Sequence, residues 1–226
     1  MNFGEAFSYQ FKDPDWAKKM LIPGIIALIG SIIIIGPIVL LGWGLEITRR
    51  VLRQDPTPLP ELDFGQNLID GLKAFVVGLV YALPAIIISI PLGILTGLMS
   101  EGGMDQEAVA PMVAILSLCC NGLIALYSLA IWFILPAAFA NMVANDGNLG
   151  AAFRFSEVIS LVRAAPGAYL LVLVGMLLSG IIAQLGVIAC VVGLIFTLPY
   201  SMSINSHLYA QAYLEATGNR GFARVY

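Results

Sequence analysis

Ser100-Glu101-Gly102-Gly103-Met104-Asp105-Gln106-Glu107-Ala108 separates two long apolar runs, and it holds three carboxylates and no Lys or Arg. All eleven Lys and Arg residues lie outside the longest apolar runs of the chain. Positive residues gather on the cytoplasmic side of a membrane, while runs of about 20 apolar residues cross it. The acidic segment is therefore expected outside, with its flanks, Ala74 to Met99 and Val109 to Ala144, as one crossing helix each. The stretches before Ala74 and after Ala144 then belong to the cytoplasm.

Composition agrees with lipid as the main solvent. Of 226 residues, 59% are hydrophobic and 11% charged, against about 25% charged in a soluble domain. Mean hydropathy is +0.92. The polar stretches are too short for a sizeable soluble domain, so residues 1–226 read as a single membrane domain. A net charge of −3 argues against nucleic acid, which needs a basic face to neutralise phosphates. Membrane lipids are the expected partners, with other membrane subunits or a homo-oligomer beside them. The N-terminal stretch Met1-Asn2-Phe3-Gly4-Glu5 lacks the basic region of a signal peptide, so no cleaved leader is expected.

Two further apolar runs remain. Residues 165–215 hold about 50 residues, enough for a two-helix hairpin that turns near Gln184-Leu185-Gly186 and returns Arg220 and Arg224 to the cytoplasm. Residues 20–48 are flanked by Lys12, Lys18 and Lys19 on one side and by Arg49, Arg50 and Arg53 on the other. Pro23-Gly24, Gly30 and Gly36-Pro37 interrupt this run, and a proline in lipid leaves a carbonyl that neighbouring protein must satisfy. A Gly/Pro-broken helical hairpin accounts for both facts; the alternative is one tilted, kinked span. Phe7 to Arg53 and Phe153 to Arg220 share an order of aromatic lead, proline, glycine-broken apolar stretch and polar exit, as an internal repeat would.

The expected fold is thus an all-α, polytopic integral membrane helical bundle of about six membrane helices. Its segments are an interfacial lead (1–19), the broken hairpin (20–48), helices over 74–99 and 109–144, an interfacial helix (149–163) and the hairpin over 165–215. Both termini face the cytoplasm. Asp63 with Gln66 forms an N-cap signature before Phe64, Leu68 and Leu72, so a short amphipathic helix should lead into the second run. Over Leu149 to Arg163, Arg154, Glu157, Ser160 and Arg163 share one face and Ala152, Phe155, Ile159 and Val162 another, the pattern of a helix lying at the interface.

Chemistry-bearing residues are few. His207 is the only histidine, which removes metal sites built on several imidazoles; it is the first residue to name as a head-group or proton-responsive group, against an interfacial histidine satisfied by backbone or water. Asn121, Asn141, Gln184 and Asn205 are amides in apolar surroundings; they either bond between helices or, for Asn121, Gln184 and Asn205 together, line a polar pathway. Glu46 stands three and four residues before Arg49 and Arg50 and is expected to pair with one of them. Asp and Glu are absent from the centres of the longest runs, which disfavours ion-coupled carriage. Cys119, Cys120 and Cys190 read as small packing residues, and no metal or other cofactor is expected. No G-x-S-x-G, P-loop or H-E-x-x-H motif occurs, and the chain reads as non-enzymatic. A scaffold or accessory subunit suits so little polar machinery; the alternative is a small carrier or lipid-handling protein.

Several short motifs carry a resemblance. They are Phe11-Lys12-Asp13-Pro14-Asp15-Trp16, Gly42-Trp43 with Arg49-Arg50, Leu59-Pro60-Glu61, Gly71-Leu72-Lys73 and Tyr81 with Pro84, followed by the run from Gly193-Leu194 through His207-Leu208 to Gln211-Ala212-Tyr213. On these the chain resembles an uncharacterised prokaryotic membrane-protein family, domain of unknown function 4013, which is loosely similar to the membrane portion of glycerophosphodiester phosphodiesterases. The resemblance implies a helical fold in a prokaryotic cytoplasmic (inner) membrane. It implies no phosphodiesterase activity, because the soluble catalytic domain of those enzymes has no counterpart here.

Overall fold

A computed structural model describes residues 1–57, 59–100, 106–188 and 190–218. Glu101 and Asp105 of the acidic segment, and Arg220 and Arg224, lie outside the described residues. Those described are all-α, with no strand among them. After two 3-10 turns, Gly4–Phe7 and Tyr9–Lys12, come eight helices: α1 (Trp16–Ile29), α2 (Ile35–Leu52), α3 (Phe64–Ser100), α4 (Gln106–Ala144), α5 (Leu149–Ala152), α6 (Phe155–Ala164), α7 (Pro166–Ile188) and α8 (Cys190–Ala216). Among the described residues, four segments are long and apolar enough to cross a membrane: Trp16–Ile33, Phe64–Gly97, Val113–Ala144 and Pro166–Ile188. The chain divides into two compact units, residues 1–77 with 133–226 and residues 78–132.

In the first unit, α1 and α2 pack side by side across the 3-10 turn Gly30–Ile33. The chain reverses at Ile34, whose φ of 64° is left-handed and costs a β-branched residue about 1–2 kcal/mol. The turn is apolar and open, with Ile29 and Ile32 to Ile34 all exposed. Water is a poor solvent for such a tip and hydrocarbon a good one. The glycines set how close the helices come. A Cβ on Gly24 would strike the Ile195 carbonyl of α8, and one on Gly42 or Gly71 would strike backbone across the α2–α3 contact. Small residues that admit backbone to backbone are how membrane helices gain packing energy where burial from lipid offers none. Around this contact Tyr9, Met20, Ala27, Leu40, Trp43, Ile47 and Leu59 form a core, in which Trp43 donates its Nε1–H to the Pro60 carbonyl at 3.2 Å.

Three elements differ from the sequence expectation. The amphipathic lead before Ala74 is not a separate helix: capped by Asp63 Oδ1 on the Gln66 amide at 3.0 Å, it runs straight on as the first turns of α3. Its polar residues Asn67 and Asp70 face protein, and its apolar Phe64 and Leu72 face outward. The helix expected over 149–163 is two, α5 and α6: the Ala151 carbonyl, which a continuous helix would give to the Phe155 amide, accepts instead from Asn141 Nδ2 at 3.0 Å and from the Arg154 amide at 3.4 Å, while the Phe155 amide turns to the Phe153 carbonyl. Finally, α7 does not break at Gln184-Leu185-Gly186 but runs to Ile188. Gly186 serves close approach instead, since a Cβ there would meet Thr197 of α8. The two halves of the expected repeat also differ in length, 14 residues in α1 and 23 in α7.

The second unit, residues 78–132, holds the apolar parts of α3 and α4. Tyr127 Oη donates to the Tyr81 carbonyl at 2.7 Å, while Ile87, Ile94, Ile115, Leu118 and Leu126 are exposed. Ser89 bonds the Ile86 carbonyl and Asn121 the Ser117 carbonyl of their own helices. Polar side chains satisfied within one helix suit a surface that meets hydrocarbon.

Candidate functional site

The residues singled out from the sequence are dispersed. Asn121, exposed on α4, returns its amide to Ser117 at 2.8 Å. Asn205 accepts from Ser179 Oγ at 2.8 Å and so joins α8 to α7. Gln184 lies on the outer face of α7, in line with exposed Leu177, Ile181 and Ile188. Asn205 and Gln184 therefore do not share a cavity. Asn141 sits deep in the first unit, and Tyr213 Oη donates to its Oδ1 at 3.5 Å. Cys119 and Cys120 are free thiols, and no cluster of three metal-ligating side chains occurs among the described residues.

His207 is different. It is buried on the face of α8 away from Asn205 and stacks on Tyr9, with ring centroids 4.4 Å apart. The two 3-10 turns form a strap that lies along α8 and is tied down at every turn. Tyr9 Oη donates to the Ser203 carbonyl at 3.2 Å, Gln10 Nε2 to Ser203 Oγ at 2.9 Å, and Tyr200 Oη to the Phe7 carbonyl at 2.7 Å. The N-terminal ammonium reaches Glu215 at 2.8 Å, and the Asn2 amide donates to Gln211 Oε1 at 2.9 Å.

That last bond decides a proton. With its Oε1 turned to the Asn2 N–H, Gln211 must present its Nε2 to His207 Nδ1, 3.1 Å away. A nitrogen that accepts carries no hydrogen, so the neutral ring holds its proton on Nε2. Its Nε2–H has no acceptor among the described residues and is not one of the sealed unsatisfied groups, which are Gln10 Oε1, Asn67 Nδ2 and Tyr169 Oη.

His207, Gln211 and Tyr9 form one wall of a cavity of about 450 Å3. Glu5 and Lys12 come from the strap, and Gln54, Asp55 and Thr57 from the loop after α2. Asp13, also on the lining, is taken by Lys19 at 2.7 Å. Lys12 holds Glu5 only loosely, at 3.4 Å and largely in water.

A second polar cluster seals the α2–α3 contact. Asp70 is almost fully buried; Oδ2 meets Arg49 at 3.0 Å and Oδ1 meets Lys73 at 3.1 Å, with Gln66 Nε2 on the same carboxylate. Glu46 pairs with both Arg49 and Arg50. Burial works against the charged Arg49 guanidinium, but Asp70 and Glu46 outweigh it and raise its pKa. Every charge is answered within the cluster, which makes it a structural clasp.

The strap residues Tyr9 and Gln10 carry no local signal in the sequence, because their partners lie at the other end of the chain. Asp70 does carry one: a lone carboxylate spaced four after Gln66 and three before Lys73 at the head of an apolar run.

The chain belongs to the family described as protein of unknown function DUF4013, which matches residues 21–192. Asn121 and Gln184 fall inside the matched segment; the strap, Asn205 and His207 fall outside it. No curated protein and no solved structure matches the chain.

Proposed function

We propose that the protein is a non-enzymatic scaffold or accessory subunit of an assembly in the cytoplasmic membrane of a prokaryote, built from about six membrane helices with both termini in the cytoplasm. Beside α3, α4 and α7, which cross, α1 and α2 enter and return on one side, and α8 brings the chain back along α7. The observation that carries the functional half is Gln184. It is an amide in the middle of an exposed apolar stripe, Leu177, Ile181 and Ile188. In hydrocarbon an unpaired amide is costly, and a helix of a second chain, another subunit or another copy, relieves that cost with a hydrogen bond worth about 0.6–2 kcal/mol. The experiment is the mass of the assembly extracted gently from native membrane. Wild type should migrate above the mass of one chain in its micelle and Gln184→Leu should release it; equal masses at the monomer value would refute the proposal.

A second role, handling of lipid, is favoured by the polar cavity beside His207. Reconstituted vesicles separate the two: lipid movement by the purified protein alone supports the second, and its absence leaves the first.

A further inference from the structure

We propose that the cavity between the strap, the loop after α2 and α8 binds a zwitterionic head group, a phosphate ester that carries an amine. The cavity is large enough for a small polar molecule, about 450 Å3, and it is walled by groups of both signs. The Nε2–H of His207, a lining residue only 5% exposed, is a donor without an acceptor among the described residues, held in that tautomer by the chain of bonds from Asn2 through Gln211. That N–H is not among the sealed unsatisfied groups, so an anionic oxygen of a ligand in the cavity can accept from it.

Lys12 stands on the same wall and is bound to Glu5 at no better than 3.4 Å, so a phosphate oxygen competes for it readily. Glu5 and Asp55 set the other half of the specificity. Two carboxylates beside a single loosely held ammonium repel a purely anionic ligand such as inorganic phosphate and attract an amine. One molecule meets both demands only if it bears both charges. Next along α8 lies an apolar groove of Phe11, Trp16, Met20, Phe196 and Tyr200, so an acyl chain has a surface to follow. The phospho-amine can come from a membrane lipid or from its water-soluble ester. The inference does not rest on the scaffold role, since an accessory subunit and a lipid handler alike can hold such a ligand.

A single histidine makes the test direct. The full chain is purified in detergent without a histidine tag, with ring 15N-labelled histidine, so that every imidazole signal is His207. Glycerophosphoethanolamine should shift the Nε2 resonance saturably, and glycerophosphate or ethanolamine alone should need at least tenfold higher concentration. Lysophosphatidylethanolamine identifies the source: tenfold tighter binding than the soluble ester assigns a membrane lipid, and equal binding assigns the free ester. Lys12→Ala and Asp55→Asn, both on exposed side chains, should each weaken binding more than fivefold while the unliganded spectrum keeps the Gln211-bonded ring signal. The proposal is overturned if neither phospho-amine gives a saturable shift, if glycerophosphate or ethanolamine alone binds as well, or if both variants bind like wild type.

Discussion

Tyr9 lies against His207 with ring planes 22° apart and centroids 4.4 Å apart, so the first turns of the chain are fastened to its last helix. The contact is apolar on its faces and polar at its edges, where Tyr9 Oη meets Ser203 and His207 Nδ1 meets Gln211. Removing the ring should therefore cost both packing and a bond. Tyr9→Ala is expected to lose about 3 kcal/mol or more and Tyr9→Phe about 1 kcal/mol. Thermal unfolding in detergent measures the difference, and equal effects would place the energy in the hydroxyl rather than in the stack.

At the α2–α3 contact, Asp70 answers Arg49 and Lys73 at once. Asp70→Asn leaves two cations near one neutral amide and should destabilise by about 3 kcal/mol, the scale of a broken buried pair. Asp63→Asn, which keeps a capping oxygen at the exposed start of α3, should cost only a few tenths. A comparable loss in both variants, read by unfolding in detergent, would mean that the cluster is not a clasp.

The α1–α2 hairpin predicts one-sided chemistry. In a chain whose native cysteines are replaced, a cysteine at Asp15 and one at Asp55 should both react with an impermeant thiol reagent from the cytoplasmic side alone. One at Ile32, on the apolar tip, should stay unlabelled from either side. Reaction of Asp15 and Asp55 from opposite sides would make the run a single kinked span.

Much of this architecture is written locally. Runs of apolar residues longer than a membrane is thick fix α3, α4 and α7; Lys and Arg on both sides of residues 20–48, with breaks at Gly30 and Gly36-Pro37, suggest a hairpin, and the chain reverses at Ile34 between those breaks. The spacing of Glu46 from Arg49 and Arg50 foretells a pairing, and both bonds form. What sequence spacing hides is partnership at a distance. Gly186 has the composition of a break, but its neighbour in space is Thr197, and only that contact shows it to be a packing site. At Ala151 the carbonyl meets Asn141 from across the fold and the Arg154 amide, and the helix splits there although its periodicity is unbroken. Gln184 and Asn205 are equal as amides in apolar runs; one faces outward and the other meets Ser179, a distinction made by helix rotation alone.

The outward stripe of α7, if the scaffold role holds, meets another protein chain. A photo-reactive amino acid placed at Ile181, beside Gln184, tests it in intact membranes, with Phe64 at the exposed start of α3 as the comparison position. Ile181 should give a discrete adduct with a protein, a second copy or another subunit, and Gln184→Leu combined with the probe should abolish it. Adducts with lipid alone from Ile181, unchanged by Gln184→Leu, would contradict it.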